Sequence, residues 1–137
     1  MGTRARMAEA WCLALGGGWV EPHLACLRHG APDPGLVEVM AERGTTARAE
    51  PVPAWSEQRE GGWDLVVPFE LGTGEDWGAL LEGARAKRWD LSRDCPATPG
   101  REAPVDLRRC RDGLRERVDG LVGGFRLKAR EDAGDDG

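Results

Sequence analysis

Isoleucine, asparagine and tyrosine are absent from all 137 residues, lysine occurs only at Lys87 and Lys128, and phenylalanine only at Phe69 and Phe125. These five residue types share A/T-rich codons, whereas the abundant Gly, Ala, Arg and Pro are encoded by G and C. The gap therefore reports a GC-rich or young reading frame before it reports any function. An ordinary domain of this length carries on the order of a dozen of the three missing types. Leu, Val and Phe together reach only about 18% of the chain, below the roughly 20% that divides globular from disordered compositions. An interior must lean on alanine and on six tryptophans, each of which needs a partner for its indole N–H once buried.

Long apolar runs are also missing. The best candidate, residues 10–20, is broken by Gly16, Gly17 and Gly18 and stopped by Glu21, which excludes a membrane-spanning helix. Glu9 and the same glycines spoil the segment as a secretory signal, and Arg6 stands where a myristoylation signal wants Ser or Thr. An intracellular, cytoplasmic chain is expected, with Cys12, Cys26, Cys95 and Cys110 as reduced thiols. The formal charge of −5 and pI near 5.1 disfavour nucleic acid as a partner. Serine is confined to Ser56 and Ser92, neither in a Gly-x-Ser-x-Gly elbow, and both histidines fall within the first 30 residues. No catalytic residue and no metal site is assigned on this inventory.

What is present reads as an α+β chain, predominantly helical: a small irregular single domain with at most a short two-stranded sheet and long loops. Residues 1–44 hold short N-terminal helices. One is weak, over 8–15. A second runs from Pro22 to His29. A third is capped by Asp33, opens at Pro34, carries Leu36, Val37 and Met40 as its apolar stripe and stops at Gly44. Residues 45–62 read as a linker or loop. From 63 to 130 the pattern predicts a strand-helix-helix-strand unit. Trp63, Leu65, Val67, Phe69 and Leu71 alternate as a half-buried strand with Pro68 outward, for which Phe125, Leu127 and Ala129 offer a partner strand. Helices are expected over about 74–87 and from Pro104. The second carries Leu107, Cys110, Leu114, Val118, Leu121 and Phe125 at spacings of three and four and ends at Gly123 and Gly124. Residues 131–137 close the chain as a disordered acidic tail.

Between Val66 and Ser92 a strand ending in Glu70 is followed by Gly72 and Gly74, a helix, and then Asp90. This arrangement resembles the first motifs of class I S-adenosylmethionine-dependent methyltransferases. The resemblance implies S-adenosylmethionine as cofactor, held by Glu70, Gly72, Gly74 and Asp90, in a truncated or degenerate relative. Pro68, Asp76 and the polar stretch at residues 86–89 depart from that pattern. Cys12, His23, Cys26 and His29 have the ligand types of a zinc site, but His23 and His29 diverge on a helix. Arg108 and Arg115 are spaced to pair with Asp112 and Asp119 along one helix.

The reading that follows is a small non-enzymatic protein without a cofactor. Its helix 104–122 would meet another protein through Leu107, Leu114, Val118 and Leu121.

Overall fold

The structure is a computed structural model and describes residues 2–26, 32–58, 61–70, 81–83, 85–91 and 104–134. Four helices lie among the described residues: α1 (Thr3–Leu15), α2 (Leu36–Ala41), α3 (Trp55–Gln58) and α4 (Pro104–Gly134). A two-stranded parallel sheet pairs β1 (Phe69–Glu70) with β2 (Trp89–Asp90), Phe69 opposite Trp89 and Glu70 opposite Asp90. Isolated parallel bridges join Cys26 to Ala54 and Val66 to Ala86. The chain is thus predominantly helical α+β, a small single domain with loops.

The core forms where α1 and α2 pack on α4. Met7 and Trp11 from α1, Leu36 and Met40 from α2, and Leu107, Leu114 and Val118 from α4 are all buried in one cluster. Each side chain of this size, fully buried, contributes about 1.5–3 kcal/mol. The three-and-four spacing on α4 is the reason that a single face can supply so many of them. Trp11 meets its indole requirement by donating to the carbonyl of Arg111 at 3.0 Å.

Polar straps close the edges. Arg111, only 3% exposed, donates to the carbonyl of Val39 and to Glu42, both at 2.8 Å, and Arg108 donates to Glu42 at 2.8 Å. Two guanidiniums on α4 thereby hold the carboxyl end of α2. The pairings expected along α4 itself do not form: Asp112 pairs with Arg111 and Arg43, and the Arg115 guanidinium lies 5.3 Å from the Trp11 ring centroid. Tertiary partners win because both α2 and Trp11 lie within reach of arginines that would otherwise stay solvated.

Several expectations need correction. α4 does not end at Gly123 and Gly124 but runs through both to Gly134, taking up the region expected to hold a partner strand and the start of a disordered tail. Each interior glycine costs roughly 0.8–1.0 kcal/mol against alanine, and burial of Val118 and Val122 offsets that. Arg126 further anchors the helix by donating to the carbonyl of Leu15 at 2.9 Å.

The partner of β1 is β2, in parallel, and the residue at 68 is buried rather than outward. Proline fits there because only its carbonyl is needed, and it accepts from the Trp89 amide at 3.1 Å. The described part of 22–29 is not helical, with Cys26 in its bridge, and residues 27–31 lie outside the described set. On α2 it is Val39, not Val37, that faces the core. The helix starts at Leu36 because the Asp33 carboxylate accepts from the Gly35 amide at 2.8 Å, making a turn first. Of the helix expected over 74–87, residues 85–87 are extended, and 71–80 lie outside the described residues.

Candidate functional site at the amino end of the first helix

α1 begins at Thr3, directly after Gly2, whose φ of 87° places it in the left-handed region. A side chain at Gly2 would bring its Cβ to 2.7 Å from Val52 Cγ2. Glycine is therefore what lets the 50–53 segment pack straight onto the start of the helix. The first backbone bond of the ladder runs from the Arg6 amide to the Gly2 carbonyl at 2.9 Å, so the amides of Thr3, Arg4 and Ala5 precede the ladder. No acidic residue sits in the first turn, whereas Arg4 and Arg6 do. Such an end carries partial positive charge and favours an anion.

The two arginines have different employment. Arg6 is buried and donates to the carbonyls of Glu50 at 2.9 Å and Pro51 at 3.0 Å, and to Glu9 at 3.0 Å. Glu9, 4% exposed, also accepts from Arg48 at 2.6 Å. Burial pushes the Glu9 carboxyl upward, but hydrogen bonds from Arg48 and Arg6 outweigh it and hold the group below its ordinary range. Arg6 is thus committed to the fold. Arg4, two positions earlier in the same turn, is half-buried.

Cys26 approaches the same end. Its thiol donates to the Val52 carbonyl at 3.3 Å, its amide donates to the Pro53 carbonyl at 2.9 Å, and its own carbonyl accepts from the Trp55 amide at 2.9 Å. Val52 therefore meets Gly2 through its side chain and Cys26 through its carbonyl. On the other side, the Asp33 amide donates to the Thr3 hydroxyl at 2.7 Å. Through Val52, a half-buried thiol and a helix amino end are brought into one neighbourhood from segments far apart in the chain.

The other described thiols differ. Cys12 is buried within α1, and burial together with the nearby Glu9 pushes its pKa up to about 11, which makes it a poor nucleophile. Cys110 is disulfide-bonded, which corrects the expectation of reduced cysteines throughout. Nothing in the sequence marked Cys26 as a neighbour of Val52 and, through it, of the start of α1, because those contacts depend on the 50–53 segment. The weak helix expected over 8–15 in fact begins at Thr3, so the first turn with its two arginines lay outside the stretch read as helical.

The residues singled out from sequence fare unevenly. Glu70 and Asp90 stand opposite each other in the parallel pair, while Gly72 and Gly74 lie outside the described residues. His23 sits 4.8 Å from the Trp63 ring and 3.4 Å from Glu21, His29 is not described, and no metal-holding group of three such side chains occurs among the described residues. Leu107, Leu114 and Val118 are fully enclosed by the core and Leu121 is half-buried. A concavity of about 430 Å³ is lined by Leu15, Arg43, Asp112, Arg115, Glu116 and Asp119. Its mixed charges partly neutralise one another through the Arg43–Asp112 pair. No described helix is long and apolar enough to cross a membrane.

No protein-family model matches the sequence, and no curated protein matches it either. The structure, however, is similar to the crystal structure of the arsenate reductase from Archaeoglobus fulgidus, with a TM-score of 0.66 and 24% identity over 88% of this chain and 90% of that one. This likeness overturns the reading of a non-enzymatic protein that meets partners through helix 104–122, whose apolar stripe is used up inside the molecule. It equally displaces the methyltransferase-like alternative. The chain has the fold of that arsenate reductase.

Proposed function

We propose that this protein is an oxyanion-handling enzyme of the arsenate reductase type, with its anion seat at the amino end of α1. The observation that carries the reading is the near-complete coverage of both chains in the fold likeness to an arsenate reductase. The local chemistry is in keeping with it. A tetrahedral oxyanion suits the first-turn amides and the Arg4 guanidinium, since a charged acceptor roughly doubles the strength of each such hydrogen bond.

Reduction of arsenate takes two electrons, which two thiols supply on becoming one disulfide. Arsenic acid and two thiols give arsenous acid, a disulfide and one water. In this reading Cys26 is the protein thiol that attacks the arsenic centre, a low-molecular-weight monothiol from solution supplies the second sulfur, and a further monothiol exchanges with the resulting mixed disulfide to free Cys26 for the next cycle. Cys12, with its raised pKa, takes no part.

The test is arsenite formation from millimolar arsenate in the presence of an excess monothiol. Cys26→Ser is expected to abolish turnover, and Arg4→Ala to raise KM by about tenfold or more, the equivalent of one charge-assisted hydrogen bond. Arsenite formation no faster than with the monothiol alone would overturn the reading.

A further inference from the structure

We infer that Glu9 is a positioning residue for the thiol at residue 26. The inference rests on the reading just given for its catalytic consequence, but its structural part stands on the following chain of contacts. Glu9 binds two guanidiniums at once, Arg6 at 3.0 Å and Arg48 at 2.6 Å. Arg6 in turn clamps two successive carbonyls, those of Glu50 and Pro51. The next two residues are the ones that hold Cys26: Val52 accepts from its thiol and Pro53 from its amide. Glu9 is therefore linked to Cys26 by an unbroken series of hydrogen bonds and peptide links, anchored on α1 two turns from the proposed anion seat.

The burial of this device argues that geometry is its purpose. A carboxylate 4% exposed is tolerated only when its charge is balanced and its lone pairs are filled. Four hydrogen bonds from Arg6 and Arg48 do both. Without Glu9, the Arg6 guanidinium is left buried with two carbonyls and no counter-charge. The 48–53 segment then loses its strap to α1, and Cys26 loses its fixed distance from the helix start. A thiol displaced by about 1 Å from a reacting centre can lose about a hundredfold in rate.

The test compares Glu9→Gln, Glu9→Asp and Arg48→Gln in the full chain by residue-resolved amide hydrogen exchange. Arg48, whose side chain is 56% exposed, offers a milder lesion that leaves Arg6 and Glu9 in place. Positioning predicts that exchange at the Cys26 and Trp55 amides accelerates at least tenfold in Glu9→Gln and less in Arg48→Gln. Amides in the middle of α4 should keep their parent rates. A role in general stability alone would accelerate α4 equally, and unchanged exchange at Cys26 and Trp55 would be as damaging; either result overturns the inference.

In arsenate turnover, Glu9→Gln should lower kcat about tenfold with little change in KM, and Glu9→Asp should recover part of it. If the parent protein does not reduce arsenate, the preceding reading fails by itself, and the exchange measurement still decides whether Glu9 sets the place of Cys26.

Discussion

The indole Nε1–H of Trp11 donates to the backbone carbonyl of Arg111 across 100 positions of sequence, at 3.0 Å and fully buried. It fixes where α1 lies along α4, because a single donor aimed at a single carbonyl tolerates little sliding. The Arg115 guanidinium covers the same ring from outside. An apolar contact alone would leave that register to side-chain packing.

Trp11→Phe should therefore destabilise the chain by about 1–3 kcal/mol, losing the donor and part of the ring volume. Trp11→Ala should cost about 3–5 kcal/mol, through the cavity it opens. Urea titration followed by far-ultraviolet circular dichroism measures both. Equal midpoints for the parent protein and the phenylalanine variant would show that the register is set elsewhere.

Acid should unfold the protein through Glu42. Hydrogen bonds from Arg108 and Arg111 lower its pKa from 4.5 to about 2. Because the folded value is the depressed one, the stabilisation is complete above pH 4.5 and is lost as the pH falls towards about 2. Asp112, held down by Arg111 and Arg43 despite some burial, acts in the same direction, as does Glu9. Thermal midpoints should fall across that window. Glu42→Gln should lower the neutral-pH midpoint and flatten the acid slope, and a slope equal to the parent's would sink the assignment.

Helices were easier to read from the sequence than pairings, for a physical reason. The stripe from Leu107 to Val118 repeats its three-and-four spacing because one face of α4 must meet α1 and α2 over several turns, and Leu107, Leu114 and Val118 are enclosed as that spacing predicts. Where α4 continues past Gly123 and Gly124, local propensity points to a stop, and the tertiary reasons to continue, Val122 in the core and Arg126 on Leu15, cannot be seen locally. Phe125, Leu127 and Ala129 alternate with basic residues and so imitate a strand, although they follow one another around a helix.

A short two-stranded sheet was expected and β1 lies within the alternation read from Trp63 to Leu71, but its partner β2 was hidden because it is two residues long, too short for any period to show. The Phe69 and Trp89 rings stack at 5.9 Å in register, a pairing that neither segment announces. The candidate site was hidden more deeply. Gly2, Cys26 and Val52 lie in three separate stretches, and the Arg6–Glu9–Arg48 strap that holds the 50–51 backbone to α1 reads, along the chain, as ordinary surface charge.

The cysteines offer the last test, since the structure gives three of them different chemistry. Treatment of the native protein with iodoacetamide at pH 8, followed by peptide mass spectrometry, should label Cys26, the half-buried thiol. Cys12 should resist until the chain is unfolded, because with a pKa of about 11 only roughly one part in a thousand is thiolate at that pH, and burial blocks the reagent as well. Cys110 should be labelled only after reduction, as its sulfur is in a disulfide. Reduction should also lower the stability of the fold by about 2–4 kcal/mol, the usual contribution of a native crosslink. Cys110 is 1% exposed between Leu107 and Leu114, so its release acts directly on the face that α4 turns to the core. Prompt labelling of Cys12 in the native protein would mean that α1 does not hold its place on α4, and would count against the core described here.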